Sequence, residues 1–181
     1  MRAEWRFRPM LEIDLERLRR WLNAPHVNRW WSRRPLTREE VRAKYLPRLR
    51  GRQPMHCLIA VIDSHAAGFV QTYRIDDYAQ YTPAFRLPAG GWGIDWFIGE
   101  PDWIGKGHGA PLLDTFVRGW LWPRREVAYA VAGAGVDNLA ALRCYEKAEF
   151  RPWFSTLPRA TAERYYRRDR RDGEGWSTKK K

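Results

Sequence analysis

The sequence predicts an α/β chain of the α+β kind, in which strands and helices are interleaved around one core. Three observations carry this. Alternating and helically spaced apolar residues succeed one another along the chain, two apolar segments flank a short polar turn, and a strand, a glycine-rich loop and a helix follow in direct order from Gly93 to Leu121. With 181 residues and 44% hydrophobic content, a core can be built without disulfide or metal support. Residues 1–170 are expected to form a single domain and residues 171–181 a basic, flexible tail.

Glu4 to Arg8 alternates and reads as a first strand. Asp14 is placed to cap the helix that follows, with Leu15, Leu18, Trp21 and Leu22 at helical spacing. Thr37-Arg38-Glu39-Glu40 has the form of a capping box, and Val41, Tyr45 and Leu49 mark one face of a second helix that Pro47 is expected to shorten or kink. Cys57 to Ile62 and Gly68 to Tyr73 form a predicted hairpin around Asp63-Ser64-His65-Ala66. The irregular stretch from Ile75 to Gly91, with Pro83 and Pro88, is long enough to be a functional loop. Gly93 to Ile98 reads as a buried strand and Ala110 to Leu121 as a helix packed on the sheet. Val127 to Val131 follows as a strand, Asn138 to Ala148 as a helix, and Arg151 to Ser155 and Arg164 to Arg167 as final strands.

The net charge of +12 is unevenly distributed. Residues 1–52 carry 15 basic against 6 acidic side chains and residues 159–181 carry 9 against 4, whereas residues 53–106 carry 3 against 6. Zinc-finger spacing, RNP-type aromatics and a basic recognition helix are all lacking, so nucleic acid is not expected as the main partner. The two cysteines, Cys57 and Cys144, show no CxxC spacing, which points to reduced thiols and no metal. The longest apolar run, Cys57 to Ile62, is far too short for a membrane span, and Met1-Arg2-Ala3-Glu4 does not open a signal peptide, so a cytoplasmic protein is expected.

Ile104-Gly105-Lys106-Gly107-His108-Gly109 stands immediately before a helix. Free backbone N–H groups and the positive end of the helix dipole favour a pyrophosphate there, although a tight turn gives the same letters. Walker-type use is disfavoured because no Gly-Lys-Ser/Thr follows, and a dinucleotide fold because the loop comes after four expected strands. One strand later comes Asn138-Leu139-Ala140-Ala141-Leu142-Arg143-Cys144-Tyr145-Glu146-Lys147-Ala148. The two segments together resemble the GNAT superfamily of acetyl-CoA-dependent N-acetyltransferases, over nearly the whole chain from Trp5 to about Phe150. Trp21-Leu22-Asn23-Ala24-Pro25-His26-Val27 with Trp30-Trp31, Tyr45-Leu46-Pro47, Gln71-Thr72-Tyr73 and Gly93-Ile94-Asp95-Trp96-Phe97 are similar to the aminoglycoside 6′-N-acetyltransferases.

That resemblance implies a mixed, mostly antiparallel, splayed sheet with helices on both faces, and acetyl-CoA as cosubstrate. Ile104, Gly105, Lys106, Gly107, His108, Gly109 and Ala110 would hold the pyrophosphate, the backbone of Phe97 and Ile98 the pantetheine, and Asn138 would face the cofactor. Tyr145 would lie near the sulfur and protonate the leaving thiolate, or pack as a helix tyrosine. Asp95 interrupts an apolar strand, and a buried acid needs a partner or a task. The matching aspartate of the family binds or deprotonates the attacked amine; capping a strand bulge or pairing with an arginine is the structural alternative. Gln71, Asp76, Asp77, Trp92 and Asp137 complete the expected acceptor site, with Asp76, Asp77 and Glu100 as an acidic patch for a polycationic small-molecule amine. His26 and His108 are expected to pack or cap.

Three departures stand out. Ile104 occupies the place where Gln or Arg often opens the phosphate loop. Gly133 stands where an aspartate is common, with Asp137 as a candidate substitute, and Glu149 replaces the glycine that usually ends the last helix in a left-handed conformation. The reading is an aminoglycoside acetyltransferase of the antibiotic-resistance type, monomeric or homodimeric. A siderophore-type lysine or hydroxylysine N-acyltransferase, a protein N-terminal acetyltransferase and a non-catalytic acyl-CoA-binding or nucleic-acid-associated module stay open as alternatives.

Overall fold

Seven strands make one sheet: β1 (Trp5–Pro9), β2 (His56–Ile62), β3 (His65–Arg74), β4 (Gly91–Ile98), β5 (Tyr129–Gly135), β6 (Arg151–Ser155) and β7 (Glu163–Asp169). Their order across the sheet is β1-β2-β3-β4-β5-β7-β6. The structure is a computed structural model that describes residues 4–78, 87–156 and 162–171. Every neighbouring pair is antiparallel except β4 with β5, which run parallel. The expected mixed, mostly antiparallel sheet is therefore present.

Helices α1 (Leu15–Asn23), α2 (Pro25–Trp31) and α3 (Arg38–Leu49) cover one face. Their Leu18, Trp21, Leu22, Val41 and Tyr45 are buried with Ile59, Phe69 and Phe97. Helices α4 (Gly109–Phe116) and α5 (Leu139–Lys147) cover the other, where Leu112, Phe116, Leu142 and Tyr145 pack with Val70, Trp92 and Ile94. Each such large apolar side chain contributes roughly 1.5–3 kcal/mol when fully buried. Alternation along β4 therefore sends Trp92, Ile94 and Trp96 towards α4 and α5, and Asp95 and Phe97 towards α1 to α3.

The Thr37–Glu40 capping box forms as expected, and α3 runs past Pro47 to Leu49. Asp14 does precede α1, but it does not cap it. Its carboxylate accepts from the Leu11 N–H at 2.9 Å and takes two 2.7 Å bonds from Arg8, tying the first strand to the first helix. Burial alone would raise the Asp14 pKa; the Arg8 and Leu11 bonds outweigh it and hold the carboxyl below its usual range.

The hairpin turn is tighter than expected. Asp63 and Ser64 alone connect β2 to β3, both with positive φ, as a two-residue turn matched to strand twist requires. The expected strand Val127 to Val131 starts later and ends later, at Tyr129–Gly135, because Gly133 and Gly135 pair with Tyr165 and Glu163 of β7. The helix from Gly109 finishes in a wider π-helical turn, Val117–Leu121.

Glu149 does adopt the left-handed conformation, with φ 65°. Its carboxylate is anchored by Arg118 at 3.1 Å and by the buried Arg168 at 3.2 Å, so ion pairs offset the backbone strain that glycine would avoid. No described helix is long and apolar enough to cross a membrane. Pro83 of the expected functional loop, and the expected tail beyond Arg171, lie outside the described residues.

Candidate active site

The parallel pairing of β4 with β5 runs only from Gly91 with Tyr129 to Ile94 with Ala132. Beyond it, Asp95 to Ile98 and Gly133 to Gly135 diverge, and a cleft of about 880 Å³ enters the gap. An unpaired strand edge needs other hydrogen-bond partners. On the β5 side, the Gly133 carbonyl accepts from the Tyr145 hydroxyl at 2.9 Å, so a side chain from α5 stands where a ladder partner would be. On the β4 side, the Ile98 carbonyl lies 3.2 Å from His26 Nε2, which places the imidazole proton on that nitrogen. Phe97 and Ile98 both line the cleft.

The glycine loop forms one end of this cleft. Gly105 and Gly107 have φ values of 74° and 82°, in the region that glycine alone enters without strain, and a Cβ on either would meet nothing within 4 Å. Gly109 is glycine for the opposite reason: a Cβ there would stand 2.7 Å from Cys144 Sγ and 3.0 Å from the Trp96 ring. Ile104, Gly105, Gly107, His108, Gly109 and Ala110 line the cleft, and the first N–H groups of α4 lack intrahelical acceptors. Lys106, expected beside them, is exposed and outside the lining. Arg143 and Lys147 of α5 line the cleft instead; helical spacing from Asn138 could have flagged them. Exposed backbone amides beside two cations fit a diphosphate. Asn138 borders the same space, but its side-chain oxygen is occupied in accepting from Ala141 N at 3.2 Å as the cap of α5.

Asp95 lies where the strands part. Gln71 is its direct cross-strand partner and donates from Nε2 to Asp95 Oδ2 at 2.7 Å. The Gln71 oxygen in turn accepts from Arg48 Nη1 at 2.8 Å, and Arg48 Nε donates to Gln53 at 3.1 Å. The arginine expected as a possible partner thus reaches Asp95 through a buried glutamine. Burial pushes the Asp95 carboxyl above the usual carboxylate range; the Gln71 bond and the charges of Arg48 and Lys44 pull the other way, while Glu163 adds to the rise. Burial, followed by the Asp95 charge, also drives the Tyr145 phenol well above its ordinary value. His108 packs edge-on against Trp103 and Trp5, as a packing histidine should.

Three residues expected at the acceptor site lie elsewhere. Trp92 is in the core, stacked on His56, because strand alternation turns it to the opposite face from Asp95. Asp76 and Asp77 sit in a short 3-10 turn after β3 and do not line the cleft; Asp76 accepts instead from Gly90 N. Glu100 accepts from Trp21 Nε1 at 2.9 Å and does not line the cleft either, so among the described residues Asp95 is the one carboxylate of the acidic middle segment that reaches it. Gln71 and Asp137 do line it. Glu163, Arg29, Arg33, Lys44 and Arg48 line it as well, although no local motif marks them; they converge only through tertiary structure. Among the described residues, no group of His, Cys, Asp or Glu could hold a metal ion.

The profile of the acetyltransferase (GNAT) domain family matches residues 10–155. The aminoglycoside N(6′)-acetyltransferase type 1 of Klebsiella pneumoniae is 32% identical over 146 residues, which are 79% of this chain and 72% of that protein. The same figures hold for the Serratia marcescens protein of that name. The structure of an aminoglycoside acetyltransferase, AAC(6′)-Ib, in complex with coenzyme A and kanamycin superposes with a TM-score of 0.82 at 28% identity, covering 92% of this chain and 95% of that one. Sequence and fold agree: the chain belongs to the GNAT acetyltransferase family.

Proposed function

We propose that this enzyme transfers the acetyl group of acetyl-CoA to an amine of an aminoglycoside, the 6′-amine in particular, inside the cytoplasm. The observation that carries the reading is Asp95, a carboxylate of raised pKa set where two strands part and open to the cleft. An ammonium cannot attack a thioester until it loses a proton, and a carboxylate whose pKa is lifted towards neutrality is the better base for that task.

Acetyl-CoA supplies an activated acyl group as a thioester. The glycine loop with Arg143 and Lys147 would bind its diphosphate end, and the free edge of β4 from Asp95 to Ile98 its amide-bearing arm. Asp95 takes one proton from the acceptor ammonium, the freed amine bonds to the acyl carbon, the carbon–sulfur bond breaks, and the second proton lost by the nitrogen passes to the departing thiolate, giving the amide and the free thiol of coenzyme A. Backbone N–H groups along the open β4 edge steady the carbonyl oxygen as charge develops on it. Tyr145 stands beside the gap with its proton on the Gly133 carbonyl; turned to the leaving sulfur, the hydroxyl donates a hydrogen bond. Its raised pKa makes complete proton transfer to a thiolate uphill. Holding both substrates in register supplies much of the rate.

Thiol release from acetyl-CoA in the presence of kanamycin or tobramycin tests the reading. Release that depends on the antibiotic, with acetylation at the 6′-nitrogen, supports it; no release with any aminoglycoside sinks it. Arg29, Arg33 and Lys44 also line the cleft, and none pairs with a carboxylate among the described residues. They favour a second reading, an amine that also carries an acid group, such as a lysine derivative. Including lysine derivatives with free and amidated carboxylates in the same assay separates the two.

A further inference from the structure

A side chain at Gly133 would require the Tyr165 ring to move. A Cβ at this position would stand 2.7 Å from the Tyr165 ring, its direct partner on β7. The ring is braced at two levels: it stacks on Phe154 with centroids 4.8 Å apart, and its hydroxyl donates to the Glu163 carboxylate.

Register then fixes where Glu163 faces. Gly93 pairs with Val131 across β4 and β5, and Gly133 and Gly135 pair with Tyr165 and Glu163 across β5 and β7. Partners directly opposite one another project to the same face. Asp95 and Glu163 therefore rise from one face of the sheet, on the two arms of the splay, and both line the cleft. Asp95 is hemmed in by Gln71 and by Arg48 and Lys44 on α3, whereas Glu163 is exposed.

We infer that Glu163, held by Tyr165 over the filled position at Gly133, is a specificity-determining residue that binds a second ammonium group of the acceptor while its first amine sits at Asp95. The inference rests on the polyamine reading of the substrate. Asp95 would bind the amine that reacts, and Glu163 one that does not. Tyr165 donates to one carboxylate oxygen and leaves the other free, so Glu163 can accept from an ammonium without losing its brace. Its contribution falls on binding rather than on the chemical step, because the bonded ammonium is unchanged as the acyl group moves.

The test compares the full-length enzyme with Glu163→Gln in thiol-release kinetics, using kanamycin and the single-amine sugar 6-amino-6-deoxyglucose as acceptors. Glu163→Gln should raise KM for kanamycin about five- to tenfold, as loss of a charge-assisted bond implies. It should leave kcat, KM for acetyl-CoA and KM for the single-amine sugar within about twofold. Added salt should raise the kanamycin KM of the unmodified enzyme more steeply than that of the variant. An unchanged kanamycin KM, an equal penalty with both acceptors, or a loss confined to kcat overturns the assignment of Glu163. If the unmodified enzyme releases no thiol with kanamycin, the polyamine reading itself falls and takes the inference with it.

Discussion

The Gln71 amide nitrogen sits 2.7 Å from Asp95 Oδ2, and the two side chains project from directly paired positions on β3 and β4. Because Arg48 can only donate, its bond to the Gln71 oxygen turns the amide nitrogen towards the carboxylate. Both Gln71 and Arg48 lower the Asp95 pKa against the larger effect of burial. Gln71→Leu should therefore move the acid limb of the kcat profile to higher pH and reduce kcat at neutral pH. Arg48→Met should move it the same way by less, and Arg48→Lys should recover part of the shift. KM for acetyl-CoA should stay constant in all three. Profiles from pH 5 to 9 check this, and an unmoved acid limb in Gln71→Leu counts against the relay.

Asp95→Asn separates chemistry from folding. A positioned general base contributes about 10²–10⁴ in turnover, so the role proposed for Asp95 predicts a fall in kcat of at least about a hundredfold with acetyl-CoA binding intact. The folded-state pKa of Asp95 is raised, so the native protein binds more protons than the unfolded chain between the ordinary carboxylate pKa and the raised one. Stability contributed by this site therefore falls as pH climbs through that window. Asparagine carries no such penalty and still accepts from Gln71. Thermal melts should place the variant at or above the parent near pH 7, with the two converging below about pH 4.

At Glu149 two substitutions isolate the backbone. Both Glu149→Ala and Glu149→Gly forfeit the bonds to Arg118 and Arg168, but only glycine escapes the left-handed strain. Glycine should be the more stable of the two by about 1 kcal/mol, or roughly 2–4 °C in melting temperature for a chain of this size. Equal melting temperatures would mean that the turn relaxes once the carboxylate is gone.

Gly109→Ala drives a methyl group into Cys144 Sγ and the edge of Trp96. Such overpacking costs about 1–3 kcal/mol and should displace the start of α4, raising KM for acetyl-CoA. Adding Cys144→Ala removes the nearer obstacle and should restore most of both losses. Calorimetry of coenzyme A binding to the single and double variants provides the measurement.

Local signals predicted most of the fold: the capping box at Thr37, the hairpin at Asp63-Ser64, and the loop-to-helix unit at Gly105 to Gly109 all follow from residues adjacent in sequence. Asp14 misled because an aspartate before a helix is a good cap, yet Arg8 six residues upstream competes for the same carboxylate. The end of β5 misled because Gly133-Ala134-Gly135 reads as a loop until Tyr165 and Glu163 supply partners from the far end of the chain. The site shows the same division. The glycine loop and Asp95 stand out in the sequence because each breaks a local pattern, and both line the cleft. Trp92 was misplaced by one step of strand alternation, and Asp76 and Asp77 by equating nearness in sequence to the acidic middle with nearness to the cleft. Glu163 and the cations of α2 and α3 carry no local mark.

The packing of Tyr165 against Gly133 also orders the substitutions open to this protein. An acidic side chain at position 133 would collide with the aromatic ring above it unless that ring moves, and shrinking residue 165 first would release the Glu163 carboxylate from its donor. The two positions can exchange roles only together or through a weakened intermediate. Positions 133 and 165 are thus coupled by packing, and any stepwise route from one arrangement to the other passes through that weakened intermediate.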